Sequence, residues 1–216
     1  MMSVIYFFRC FPAPFFSMPR VSRVKSQAHR KQVLDGAARV FRERGFDGVS
    51  VAEVMAAAGL THGGFYGHFS SKEALMAQAF ERAGEQSRER WREILGEGGD
   101  IERSRRKLVD FYLSTEHRDH PGGGCPMAAL AGDVARHPDG GEVRSAYCAA
   151  VRRWAEMLTT LQPVGARARS RRRKQALLEM AALVGSVLLA RATRDDAISE
   201  DILTAVRNQL LARDHG

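Results

Sequence analysis

The sequence predicts an all-α protein of about nine helices. Helical periodicity recurs along the chain, strand signals are nearly absent, and no proline falls between Pro19 and Pro121. The first helix is carried by Val33, Leu34, Ala37, Ala38 and Phe41, which share one apolar face and stop at Gly45. Val51, Val54, Met55 and Ala58 give a second, short amphipathic helix. Ser50 precedes it and Glu53 follows three residues later, the spacing of a capping box in which each side chain satisfies a free N–H. A third helix is expected at 62–68, a long one at 72–97 behind Ser71, and another at about 101–117. PGGG at 121–124 and HPDGG at 137–141 bracket a short helix that opens on Pro126. A helix at about 142–161 ends at QPVGA. Two apolar helices close the chain, at 170–190 and 196–212. Leu177, Ala181, Val184 and Leu188 line one face of the first, with Leu178, Gly185 and Leu189 beside them. Ile198, Ile202, Val206 and Leu210 line the second.

Charge is uneven along the chain. The 216 residues carry a formal net charge of +8. Residues 19–49 hold eight Lys/Arg against three Asp/Glu, residues 50–120 hold ten against twelve, and residues 121–216 hold fourteen against ten. A basic N-terminal region suits an anionic partner such as nucleic acid. Arg20, Arg23, Lys25, Arg30 and Lys31 read as a basic arm for a phosphate backbone, and the run at 166–174 as a solvated loop. Three cysteines without a CxxC pair and no secretory signal point to a reducing cytoplasm. No continuous apolar run reaches the ~18 residues that span a bilayer, so no membrane partner is expected. Residues 1–18 read as a disordered extension, with Met18 an alternative start.

The stretch GLTHGGFYGHFSSKEAL at 59–75 poses a problem. It should hold a helix, yet glycines stand at 63, 64 and 67, each costing roughly 1 kcal/mol against alanine in a helix interior. Gly59-Leu60-Thr61 joins two short helices in the manner of a helix-turn-helix, with Thr61 placed to cap the second through its hydroxyl. Phe65 and Phe69 anchor that helix inward and leave His62, Gly63, Tyr66 and Gly67 outward. A residue without a side chain lets the backbone come close to a surface, and a DNA groove is such a surface.

Residues 30–80 resemble the DNA-binding domain of the TetR family of transcriptional regulators. The resemblance is carried by Arg30, the 38–41 region, Gly45-Phe46, residues 51–54, Ala58-Gly59-Leu60, Phe65-Tyr66, His68-Phe69 and Ser71-Lys72-Glu73-Ala74-Leu75. The segment LLARATRDDAISEDILTAVRNQL is similar to the end of many members, while residues 100–165 match loosely. The resemblance implies a DNA-binding domain at 19–72, a connecting helix at 72–97, and a ligand-binding and dimerising domain over 73–216. It implies DNA contacts from Arg30, Ser50, Thr61, His62, Gly63, Gly64, Tyr66, His68 and Lys72, with Tyr66, Lys72 and Thr61 on phosphates and His62, Gly63 and Gly64 near base edges. Gly67 departs from the larger, often basic residue common there. The function implied is that of a cytoplasmic repressor that binds a palindromic operator as a homodimer and is released by a small-molecule or electrophilic effector. No cofactor is expected.

The effector pocket is expected among the central helices, where Phe111, Tyr112, Met127, Trp154, Met157 and Met180 supply adaptable apolar surface. Cys125 precedes Pro126 at a helix start, where the positive helix end favours thiolate. His117 and His120 are near in sequence, so Cys125 is a candidate redox sensor, against the alternative of a small packing residue. Cys148 reads as core. A metal site H-x2-H-x4-C lacks a fourth ligand. A cysteine hydrolase built on Cys125, a histidine and Asp119 or Asp133 is the alternative of a different class.

Overall fold

The computed structural model describes residues 23–96, 100–162 and 169–212. The proposed extension at 1–18, with Cys10 and Met18, lies outside the described residues, as does Arg20. Among those described there are helices and no strand: α1 Arg23–Arg44, α2 Val51–Ala57, a 3-10 helix His62–Gly67, α3 Lys72–Leu95, α4 Ile101–Tyr112, α5 Thr115–Asp119, a 3-10 turn Pro121–Gly123, α6 Pro126–Arg136, α7 Glu142–Thr160, α8 Arg169–Ala192 and α9 Ile198–Ala212.

α1 is longer than its apolar face suggests. It begins at Arg23, so Lys25, Arg30 and Lys31 ride on helix and form no separate arm. Val33, Ala37, Ala38 and Phe41 are buried. Gly45, at φ 76°, turns the chain away while its N–H donates to the Phe41 carbonyl at 2.8 Å. α3 starts where the Ser71 hydroxyl accepts from the Ala74 N–H at 3.0 Å. Its buried face, including Leu75, Ala79, Phe80 and Ala83, packs on α1 and α7 and joins the N-terminal helices to the rest.

The single helix expected at 101–117 is two. Ser114 breaks it: its hydroxyl donates to the Phe111 carbonyl at 2.7 Å and accepts from the His117 N–H at 3.1 Å, capping α5. The basic run is also corrected, because residues 169–174 form the first turns of α8, where Arg169 and Arg173 pair with Glu156. Cys148 is exposed rather than core.

Arg105 of α4 meets Glu179 of α8 at 3.2 Å with both side chains buried. Gln162 also donates to Glu179, at 3.0 Å, and Arg105 to the Leu210 carbonyl at 3.0 Å. Such a buried pair needs these added bonds to offset its desolvation. It fixes the register of α4, α8 and α9.

The apolar faces read for α8 and α9 are only partly used within the chain. α8 buries Ala176, Leu183, Val187 and Ala190, whereas Leu177, Leu178, Leu188 and Leu189 are exposed, as is Ile198 at the start of α9. α8 contains an 18-residue window of hydropathy 1.4, so by length and composition one helix could cross a bilayer. Glu179 and Arg191 interrupt that window, so it is not a continuous apolar run. A helix whose opposite face buries Glu179 and Ser186 against protein is equally a core helix with one uncovered side.

Candidate nucleic-acid interface and the cavity behind it

The hairpin is built locally. Ser50 caps α2 reciprocally: its hydroxyl accepts from the Glu53 N–H at 3.2 Å, while its N–H and its hydroxyl donate to Glu53 Oε2, each at 2.8 Å. The Ser50 bonds, backbone then side chain, with Arg44 at 2.9 Å, lower the Glu53 carboxyl to about 2. Ser50, placed among the DNA contacts on resemblance, thus has its hydroxyl engaged in the cap.

Gly59 turns the chain at φ 70°, a conformation that side chains rarely adopt. The Leu60 N–H reaches back to the Met55 carbonyl at 2.9 Å, and Leu60 itself is partly buried. Thr61 is extended, with no side-chain cap bond; the Gly64 N–H goes to its backbone carbonyl at 3.0 Å. The hydroxyl cap expected at Thr61 is therefore not formed, and that exposed hydroxyl stays available.

The next segment is a 3-10 helix and not an α-helix, as three glycines in six residues favour. Phe65 and Phe69 hold it down, buried and stacked at 5.7 Å. Burying each contributes roughly 1.5–3 kcal/mol, enough to offset the glycine penalties. Tyr66 is 75% exposed and meets Phe65 edge-on. His62 and Gly63 are exposed, and Gly64 and His68 half-buried. Lys72 opens α3, half-buried. Arg30 is turned inward, donating to Gln78 and lying over the Phe69 ring at 5.4 Å from its centroid, so it ties α1 to α3.

Gly63 and Gly67 have no internal justification. Neither has positive φ, and a Cβ added at either would meet nothing within 4 Å. Gly64 would make ordinary contact, 3.7 Å from Met55 Cε.

Behind this unit, a cavity of about 580 Å³ lies between α3, the start of α6 and α7. Met127, Trp154 and Met157 line it, as expected, together with Trp91 and Leu95 of α3, which the sequence reading missed. Phe111, Tyr112 and Met180 lie outside its wall. Tyr112 is fully buried and stacks on Trp154 at 5.3 Å, and Phe111 packs edge-on to Trp91 at 5.4 Å.

Cys125 is buried in the cavity wall. The peptide joining Gly124 to Cys125 is held on both edges. Its carbonyl accepts from Arg42 of α1 at 3.1 Å and from Ser87 of α3 at 3.4 Å, while its N–H donates to His117 Nε2 at 3.0 Å. Arg42 also donates to Gln86 at 2.6 Å and to the Ala38 carbonyl at 2.9 Å. Burial lowers the Arg42 guanidinium to about 10, which leaves it charged at neutral pH. Burial likewise lowers His117 to about 4, opposed by its bond to the Tyr112 carbonyl and assisted by Arg191 and Arg90. His117 is thus neutral and serves the backbone of Cys125 in place of its thiol. His120 bonds to the Glu116 carbonyl at 3.0 Å, and Asp119 is held by Arg118 at 2.8 Å. His117, His120 and Asp119 are thus each engaged elsewhere than at the thiol. No group of three metal-ligating side chains occurs among the described residues.

Residues 33–79 match the family described as bacterial regulatory proteins, tetR family. The HTH-type transcriptional repressor Rv1474c of Mycobacterium tuberculosis is 43% identical over 58 residues, 27% of this chain and 31% of that protein. The HTH-type transcriptional regulator Rv0196 of the same organism is 29% identical over 194 residues, 86% of this chain and 96% of that one. The crystal structure of a TetR transcriptional regulator from Chloroflexus aurantiacus superposes with a TM-score of 0.71 at 28% identity, covering 88% of this chain and 95% of the other. An all-helical chain with this exposed hairpin and these likenesses is a DNA-binding transcription regulator of the helix-turn-helix class. The matched segment and the likeness over most of the chain support a regulator of the TetR family.

Proposed function

We propose that the chain is a cytoplasmic repressor that binds a palindromic operator as a homodimer and lets go when a small-molecule or electrophilic effector occupies the cavity. The observation that carries the DNA-contacting part is the pair Gly63 and Gly67, glycines with open space where a side chain would stand. A duplex supplies the missing neighbour: the 3-10 helix enters the major groove, His62, Gly63 and Gly64 approach base edges, and Thr61, Tyr66, His68 and Lys72 hold the flanks. The uncovered leucines of α8, with Ile198, suit a second copy of the chain packed as a four-helix bundle. Two readers then address half-sites about 34–36 Å apart or a multiple of that.

Release has a route in the Gly124–Cys125 peptide. One end borders the cavity at Cys125, and its carbonyl holds Arg42 of α1 in the DNA-binding part. An effector or thiol adduct that shifts this peptide shifts α1, and with it the spacing of the readers. A coupling of ~1–3 kcal/mol changes operator affinity ~5–150-fold. The test is selection of bound duplex from a random pool, with sedimentation of the free protein. A palindromic consensus and a dimer are expected. Binding no tighter to any duplex than to a competitor polyanion would end the proposal.

A further inference from the structure

The cavity has a chemical polarity of its own. Its size, about 580 Å³, is that of a small-molecule site. Its inner wall is aromatic and sulfur-rich: Trp91, Trp154, Met127 and Met157. The two indoles flank the Tyr112 ring nearly parallel to it, at 6.0 and 5.3 Å, so they are braced as flat faces and cannot readily collapse inward. Thioethers mould to whatever lies against them.

Polar groups are few on this apolar ground. The Trp154 indole nitrogen is itself sealed from the cavity, so a ligand meets this side chain by its ring and not by its N–H. Among the described residues the mouth carries three exposed guanidinium groups, Arg88, Arg92 and Arg153, against one carboxylate, Glu93. None of the three has an ion-pair partner among the described residues. Aromatic walls also attract cations through their π faces. Three positive charges at the entrance oppose that outcome and favour an anion.

We infer that the effector is a flat, apolar anion of the aromatic-carboxylate class, its ring against the wall of Trp91, Trp154, Met127 and Met157 and its charge toward the arginine mouth. This deepens the effector reading above and rests on it for its regulatory meaning, though not for binding itself.

The chain supplies its own reporter, because its two tryptophans both line the cavity. Full-length protein titrated with 2-naphthoate should show saturable quenching of tryptophan emission. The uncharged methyl 2-naphthoate should bind about fivefold more weakly, the scale of an exposed ion pair. Replacing Arg88, Arg92 and Arg153 together by Gln should abolish that preference. Trp154→Leu, with Trp91 still reporting, should weaken acid and ester alike, by about two- to tenfold, through loss of the flat ring surface. Equal or tighter binding of the ester, tighter binding of 2-naphthylmethylammonium, or no saturation would overturn the inference. A naphthoate complex that keeps full operator affinity would leave the site standing and sink the effector role. Operator release by other compounds with no naphthoate binding would do the reverse.

Discussion

Two glycine-rich stretches of this chain do opposite work. In the 3-10 helix, Gly63 and Gly67 face empty space. At 122–124 every glycine is crowded. A Cβ on Gly122 would overlap the Glu43 carboxylate, one on Gly123 would stand 3.3 Å from Arg90, and one on Gly124 would stand 2.8 Å from the His117 ring. The central glycines let α1 and His117 close on the segment that leads to Cys125. The reader glycines let nothing inside the protein close on them. Composition alone cannot separate the two cases; the space beyond each Cα does.

Titration sharpens the contrast first. His117, beside the crowded segment, has its folded value depressed to about 4 from an ordinary 6.5. The unfolded chain therefore takes up this proton first as pH falls. Stability should drop by up to about 3 kcal/mol between pH 6.5 and 4, then level off for this group. Denaturant unfolding of wild type beside His117→Gln measures it, and the variant should lose that slope. Glu53, in the reader, contributes stability that is present above its unfolded value near 4.3 and lost only as pH falls through about 2. The two regions should thus lose protonation-linked stability in separate windows.

Substitution at Gly124 comes next. Gly124→Ala forces His117 or its neighbours to shift, at a cost of about 1–3 kcal/mol, seen as a lower unfolding midpoint. Removing the α2 cap with Ser50→Ala should cost about 1 kcal/mol by the same measurement. The smallest expected effect belongs to the rim of the reader. Lys72→Gln should weaken operator binding across sequences and lower the salt dependence by about one phosphate contact, with the unfolding midpoint unchanged.

The reader was legible because its determinants are local. Ser50 and Glu53 are three residues apart, Gly59 needs only its own φ, and Phe65 and Phe69 need only helical spacing. The middle of the chain was not. PGGG reads as punctuation, whereas its glycines are set by residues 43, 90, 117 and 191, far away in sequence. The buried Arg105–Glu179 pair was invisible because charged residues read as surface. Trp91 was missed as a cavity residue because α3 reads as a connector. The break at Ser114 was hidden because a serine inside a periodic run gives no sign that its hydroxyl will bond backward and forward at once.

The central claim is that the reader's glycines are shaped by a surface outside the protein. The most direct test is a size series at one position: Ala, Val, Leu and Phe in place of Gly63, with operator affinity and unfolding midpoint measured on each. Affinity should fall with every added volume, by ~100-fold or more at Leu, while the midpoint stays near wild type or rises slightly at Ala. Affinity that is indifferent to side-chain size would contradict the account, as would affinity that falls only in step with the midpoint.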